Sequence, residues 1–160
     1  MDSVIIFLGK YLIFFIALLA VYAVYAQKNR REIILALLLA GFLAWFLSGV
    51  AGVLYFNPRP FVEHNVQPLF AHGPDNGFPS QHTVLAMTLT TVIYFYRRRL
   101  AAAALIMTLL VGAGRVWAHV HSWIDILGGL AIGIAAGAAG VFIARYILSK
   151  ISARKPKAHH

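Results

Sequence analysis

Residues 123–148 read WIDILGGLAIGIAAGAAGVFIARYIL, twenty-six positions of which only Asp125 and Arg145 are charged. The hydrocarbon core of a bilayer is about 30 Å thick, and roughly 20 consecutive apolar residues cross it as a helix. A run this long and this poor in charge predicts a transmembrane helix. Four further stretches read the same way: Val4–Ala26, Ile33–Phe56, His82–Tyr96 and Leu100–Trp117. The last two are short, so their ends fall in the interfacial zone. The expected fold is all-α, a polytopic membrane helix bundle of about five transmembrane helices, with residues 1–160 as one domain. The first stretch is too long for a cleavable signal peptide, and its basic residues follow it instead of preceding it.

Composition agrees with the spans. Hydrophobic residues make up 61% of the chain and charged residues 12%, against about 25% charged in an average soluble domain. Fourteen Lys and Arg against five Asp and Glu leave a net charge of +9. A nucleic-acid partner would need those basic residues on a solvated face, which so apolar a chain does not offer. Cysteine is absent, which excludes disulfides, thiolate metal sites and cysteine nucleophiles.

The charges sort by connector. Lys28, Arg30 and Arg31 lie between spans one and two, Arg97–Arg99 between three and four, and Lys150, Arg154, Lys155 and Lys157 after span five. Positive residues stay cytoplasmic, so these connectors and the C-terminus are expected inside. The N-terminus and the long polar segment 57–81 are then extracytoplasmic. With Arg145, eleven of the fourteen basic residues fall on the inner side, and the outer side is near neutral. The terminal segment 158–160, with His159 and His160, has the form of a purification-tag remnant. Gly129, Gly133 and Gly137 form a small-residue stripe suited to close helix packing inside the bundle, or alternatively to a homodimer face.

Ionisable groups at membrane depth are costly and mark function by default. Three clusters stand out, all at the outer ends of spans: Asn57-Pro58-Arg59-Pro60-Phe61, Phe78-Pro79-Ser80-Gln81-His82, and Gly114-Arg115 with His121 and Asp125. Counted from Arg99, His82 and Arg115 both rise about 24–26 Å if helical, so they share a depth. Two arginines supply forked donors for phosphate oxygens. Ser80 opening a helix reads as an N-cap, whose unpaired amides favour an anion. Two histidines suit a nucleophile and a general acid. Asp125, four residues after His121, can orient that imidazole as the acid does in a Ser-His-Asp triad. Singly, each residue has a structural explanation: headgroup contact for a His, snorkelling for an Arg, and capping for Asp125 through Ser122-x-x-Asp125. Five at one depth point to a phosphoryl-transfer site.

These motifs resemble the type 2 phosphatidic acid phosphatase superfamily, whose pattern is Lys, six residues and Arg-Pro, then Pro-Ser-Gly-His, then Ser-Arg, five residues, His, three residues, Asp. Arg59-Pro60, Pro79-Ser80-Gln81-His82 and Arg115, His121, Asp125 match it in spacing, over a motif-bearing core of about residues 33–148. The surrounding Tyr55-Phe56-Asn57-Pro58-Arg59-Pro60-Phe61-Val62, with His64 and His72, is similar to the bacitracin-resistance branch, whose members are undecaprenyl-diphosphate phosphatases. The resemblance implies that His121 attacks phosphorus to form a phosphohistidine while Asp125 orients it. His82 then protonates the leaving oxygen, and Arg59, Ser80 and Arg115 hold the phosphoryl group. It implies no metal and no other cofactor, and a polyprenyl or other lipid phosphate as substrate. Gly52, Gln81 and Gly114 stand where the pattern has Lys, Gly and Ser. Gln81 or Lys10 is the expected substitute for the lost lysine, and His64 or His72 the expected contact for the second phosphate of a diphosphate.

Three alternatives stay open on the sequence. One is a broader phosphatase for phosphatidylglycerophosphate, phosphatidate or lipid A phosphate. Another is a zinc hydrolase using His64, His72, His119, His82 and His121, although their spacing matches no metal motif. The third is a non-catalytic lipid-phosphate transporter, for which an oriented imidazole has no use.

Overall fold

The computed structural model describes residues 1–153 and is helical throughout its regular parts. His159 and His160 of the tag-like segment lie outside the described residues. In chain order the helices are α1 (Asp2–Ile6), α2 (Leu12–Tyr25), α3 (Arg30–Leu54), α4 (Pro60–Glu63), α5 (Gln81–Tyr96), α6 (Arg98–Trp117) and α7 (Trp123–Ala153). A π-helical turn over Phe7–Tyr11 joins α1 to α2 into one rod. Four rods, Asp2–Tyr25, Arg30–Leu54, Arg98–Trp117 and Trp123–Ala153, are long and apolar enough to cross a membrane. The third expected span is the sixteen-residue α5, which completes a bundle of five rods.

Large apolar side chains cover the bundle's outside. Leu18, Leu38, Phe42, Trp45, Val53 and Phe142 are all more than half exposed, as lipid-facing residues are. The inside is built from small ones. Ala36, Ala40 and Ala44 of α3 are buried, and Gly129, Gly133 and Gly137 of α7 lie against Thr83, Met87 and Thr91 of α5. The glycine stripe therefore packs within the bundle, with α7 lying against both α3 and α5. Hydrocarbon offers no hydrophobic drive to pair helices, so close backbone approach and polar bonds do that work. One such bond joins the Thr90 and Thr108 hydroxyls of α5 and α6 at 2.9 Å.

The rods alternate in direction, so one end of the bundle gathers Arg30, Arg31, Arg97–Arg99 and Lys150. Arg97 alone links α5 to α6, because Arg98 and Arg99 already belong to α6. At this end Arg145 pairs with Glu32 at 2.9 Å, and the Tyr96 hydroxyl donates to the same carboxylate. The opposite end carries segment 55–80 and the turn 118–122, and all three motif clusters lie there.

Candidate active site

Segment 55–80 has no regular periodicity, and hydrogen bonds from two asparagines give it shape. Asn76 Oδ1 accepts from the backbone amides of Asn57 and Phe78, both at 2.9 Å. Its Nδ2 donates to the carbonyls of Gly52 (2.8 Å) and Tyr55 (2.9 Å). One side chain thus ties the end of α3 to the residues that precede α5. Asn57 reaches across to α7, where its Nδ2 donates to Ser122 Oγ and to Asp125 Oδ1, both at 2.8 Å. The two arms of the segment meet at Gly77, whose amide donates to Asn57 O. A Cβ at Gly77 would stand 2.9 Å from Asp125 Oδ2, so only glycine admits this approach.

Asp125 is fully buried. Besides Asn57 it accepts from the Ser122 amide at 2.8 Å and faces His121 Nδ1 at 3.4 Å. The first of these is half of the capping box read from Ser122-x-x-Asp125, so the carboxylate both caps α7 and backs the imidazole. On the other side of the ring, His121 Nε2 lies 3.3 Å from Arg59 Nη1 and 3.1 Å from Arg115 Nη2. Guanidinium groups only donate, so Nε2 presents a lone pair and the ring proton sits on Nδ1, facing the carboxylate. Burial holds the His121 pKa below the usual histidine value; Asp125 opposes the shift, and Arg115 and Arg59 add to it. The result is a neutral imidazole whose unprotonated nitrogen looks into a doubly cationic pocket.

Both arginines are buried, and the protein supplies each with anchors. Arg59 donates from Nη1 to Val120 O at 2.8 Å and from Nε to Asp75 at 2.7 Å. Asp75 is 70% exposed, and its bond to Arg59 is the main cause holding its carboxyl below the ordinary range. Arg115 Nη2 donates to His72 Nε2 at 2.7 Å, and Nη1 reaches Gly9 O at 3.4 Å. Arg115 Nε is buried without a hydrogen-bond partner among the described residues. A buried cationic donor with nothing to bind is costly, and an anion in the pocket would satisfy it. His72 packs edge-on to His121, with ring centroids 5.9 Å apart. Burial, then Arg59, Arg115 and His121, lower its pKa to about 4.

Of the expected residues, His121, Asp125, Arg59, Arg115 and His72 meet directly. His82, in the first turn of α5, lies within electrostatic reach of Arg115, His121 and His72. Ser80 is fully buried at the α5 N-cap. Its hydroxyl makes no capping bond and instead accepts from Thr83 at 3.2 Å, while its amide donates to Asp125 O at 3.1 Å. Gln81 opens α5 exposed. Lys10 is exposed on the π-turn with Nζ over the Tyr11 ring. His64 lies in a cavity of about 680 Å³ that His121 and Ser122 also line. Among the described residues no three acidic, His or Cys side chains are grouped to hold a metal ion.

Sequence reasoning missed Asn76, Asp75 and Gly9, and it read Asn57 only as part of a cluster. The polar loop showed that asparagines and an acid were present, but not which backbone groups they would meet. Gly114 has a local explanation. A Cβ there would stand 2.5 Å from Gly9 N and 2.9 Å from Gly9 Cα, so the π-turn occupies the space that a serine side chain would need. At Gly52 the carbonyl serves Asn76, and a Cβ would face Phe78 O at 3.2 Å.

The family model described as the PAP2 superfamily matches residues 31–149. The undecaprenyl-diphosphatase BcrC of Bacillus subtilis (strain 168) is 32% identical over 139 residues, covering 86% of this chain and 72% of that protein. The bacitracin transport permease protein BcrC of Bacillus licheniformis is 31% identical over 136 residues, covering 84% and 67%. Among solved structures, LpxE of Aquifex aeolicus superposes with a TM-score of 0.62 at 26% identity, covering 88% of this chain and 82% of that one.

Proposed function

The chain belongs to the PAP2 superfamily, and from that membership we propose that it hydrolyses undecaprenyl diphosphate to undecaprenyl phosphate and inorganic phosphate. It is a multi-pass membrane protein and a phosphoric ester or anhydride hydrolase. The diphosphate substrate is the reading favoured by its similarity to the Bacillus subtilis undecaprenyl-diphosphatase. One observation carries the hydrolase reading: the His121 lone pair faces two buried guanidinium groups while a carboxylate backs the opposite nitrogen. A protein that only bound or transported a lipid phosphate would need no imidazole oriented in this way.

The chemistry follows from that arrangement. The terminal phosphoryl group enters between Nε2 and the arginines, whose donors take its oxygens. The unpaired Arg115 Nε supplies one more. Nε2 attacks phosphorus, a P–N bond forms, and the bond to the bridging oxygen breaks. His82 gives its proton to that oxygen, which leaves as undecaprenyl phosphate. Asp125 stabilises the imidazole cation through Nδ1–H, and the 3.4 Å separation shortens as charge develops. His82 then takes a proton from water, which attacks phosphorus and breaks the P–N bond. Fixed positive charge aimed at the transferring group provides most of the rate enhancement. Ser80 and Gln81 at the start of α5 complete the phosphoryl pocket. His72, beside Arg115, and His64, in the adjoining cavity, contact the phosphate that stays on the lipid.

The basic end of the bundle supports an extracytoplasmic site by the positive-inside rule, so the enzyme would regenerate the carrier lipid of wall-glycan synthesis from outside. The test is phosphate release from undecaprenyl diphosphate by the purified chain, with and without EDTA. We expect EDTA-resistant release that falls roughly a thousandfold or more in His121→Ala. No release from any lipid phosphate would refute the enzyme. Loss with EDTA would favour a metal mechanism, and equal rates on phosphatidate and phosphatidylglycerophosphate a broad phosphatase.

A further inference from the structure

Asp125 is fully buried, and a buried carboxylate is costly unless donors meet both of its oxygens. Oδ2 has two partners, the Ser122 amide at 2.8 Å and His121 Nδ1 at 3.4 Å. Among the described residues Oδ1 has a single one, Asn57 Nδ2 at 2.8 Å. Half of the carboxylate therefore depends on one side chain that comes from outside α7. Without that donor Oδ1 would be bare, and Asp125 would take up a proton or turn away. Either change reaches the imidazole. A protonated Asp125 would donate to Nδ1, and the ring's own proton would shift to Nε2, where the lone pair now faces the arginines. A carboxylate turned away would leave Nδ1–H unheld.

Asn57 is itself held at every side. Its backbone amide donates to Asn76 Oδ1 at 2.9 Å, and its carbonyl accepts from Gly77 at 2.8 Å. The second Nδ2 hydrogen goes to Ser122 Oγ at 2.8 Å. Pro58 forms an antiparallel bridge with Asn76, and Arg59 is extended. Side chains two apart on extended backbone point to one side, and these two address the two nitrogens of one ring. Arg59 Nη1 stands 3.3 Å from His121 Nε2, while Asn57 holds the carboxylate that faces Nδ1. Three consecutive residues thus set the front and the back of the imidazole. Asn57 is one of the six residues before Arg59-Pro60 that the superfamily pattern leaves unspecified.

We propose that Asn57 is a positioning residue of the reaction: it keeps Asp125 ionised and aimed at Nδ1, and so keeps the His121 lone pair on Nε2. The proposal rests on the phosphatase reading above. Asn57 touches neither the phosphoryl group nor the ring, and acts only through Asp125. Its removal therefore slows the chemical step and leaves substrate binding by the arginines in place. An asparagine that merely braced the segment through Ser122 and Asn76 would affect folding without changing how activity depends on pH.

The experiment measures kcat and KM for undecaprenyl diphosphate across pH, using the full chain in detergent micelles below its thermal midpoint. In Asn57→Ala, kcat is expected to fall roughly ten- to a hundredfold, the scale of losing the outer partner of an oriented side chain, with KM within about threefold. Asn57→Asp is nearly isosteric and supplies the sharper readout. Its carboxyl would lie at hydrogen-bond distance from Asp125 Oδ1, where two carboxylates cannot both ionise. With one shared proton the pair reproduces the asparagine donor; once that proton leaves, the second charge repels Asp125. The kcat of Asn57→Asp relative to wild type is therefore expected to drop roughly tenfold or more from about pH 5.5 to about pH 8. His121, His72, His82, Asp75, Arg59 and Arg115 surround the pair in both proteins, and the ratio cancels their titration. A kcat in Asn57→Ala within about threefold of wild type, a loss carried by KM alone, or an Asn57→Asp ratio flat across pH would each overturn the role given to Asn57 and leave the phosphatase reading standing. Wild-type protein that releases no phosphate would overturn both.

Discussion

At the scale of single residues, both arginines of the site already have side-chain partners within the protein. Arg59 binds Asp75 and Arg115 binds His72, so an incoming phosphate competes with side chains for the same guanidinium groups. Asp75 is mostly exposed, and its attraction to Arg59 is partly screened. In Asp75→Asn the amide oxygen can still accept from Arg59 Nε, but the negative charge is gone. We expect KM for the lipid diphosphate to fall about two- to threefold with little change in kcat, measured by steady-state phosphate release. The acid limb of activity tests His121. In the proposed mechanism protonating Nε2 removes the nucleophile, and burial holds the His121 pKa below the ordinary histidine value. The imidazole therefore stays reactive as pH drops through about 6.5, and kcat/KM should begin to fall only at lower pH. A limb centred at or above 6.5 would contradict this. The candidate site residues were legible in the sequence because their types and spacings are themselves chemical. Their supports were not: nothing local in Asn57 or Asn76 shows that one will hold Asp125 and the other the end of α3.

At the scale of elements, helices were legible wherever hydropathy ran unbroken, and boundaries shifted only where caps and turns decide them. Span two ends at Leu54 instead of Phe56, since Tyr55 is already extended where its carbonyl serves Asn76. Span five continues past Leu148 to Ala153. The π-turn over Phe7–Tyr11 could not be read from hydropathy, because a wider turn leaves the apolar composition unchanged. Such turns recur at functional sites, and this one brings Gly9 O towards Arg115 and Gly9 itself onto Gly114. Gly114→Ala puts a methyl group against backbone that cannot swing aside. We expect it to destabilise the protein by about 1–3 kcal/mol, the usual cost of overpacking, read as a lower thermal midpoint in detergent. Because Arg115 follows directly, kcat should fall as well. An unchanged midpoint would show that the two rods are not in close contact.

At the scale of the whole molecule, the uneven charge is an address. The arginines and lysines gathered at one end predict which face meets the cytoplasm, and the absence of cysteine makes the prediction easy to test. In intact cells a membrane-impermeant maleimide should label Gln67→Cys, and it should reach Lys28→Cys only after permeabilisation. The opposite pattern would invert the topology and move the site to the other compartment. Rod length carries a further consequence. The sixteen residues of α5 rise about 24 Å, less than the roughly 30 Å hydrocarbon core, while the thirty-one of α7 exceed it. Arg97 fixes one end of α5 in the basic layer, so His82 at the other end stands several ångströms short of the opposite surface. The surrounding membrane must thin there or the diphosphate must descend to meet it, and hydrophobic mismatch of this kind costs fractions of a kcal/mol per ångström. Host-lipid thickness thereby becomes a control on turnover, with phosphate release in reconstituted vesicles slowing as palmitoleoyl lipids are replaced by erucoyl ones.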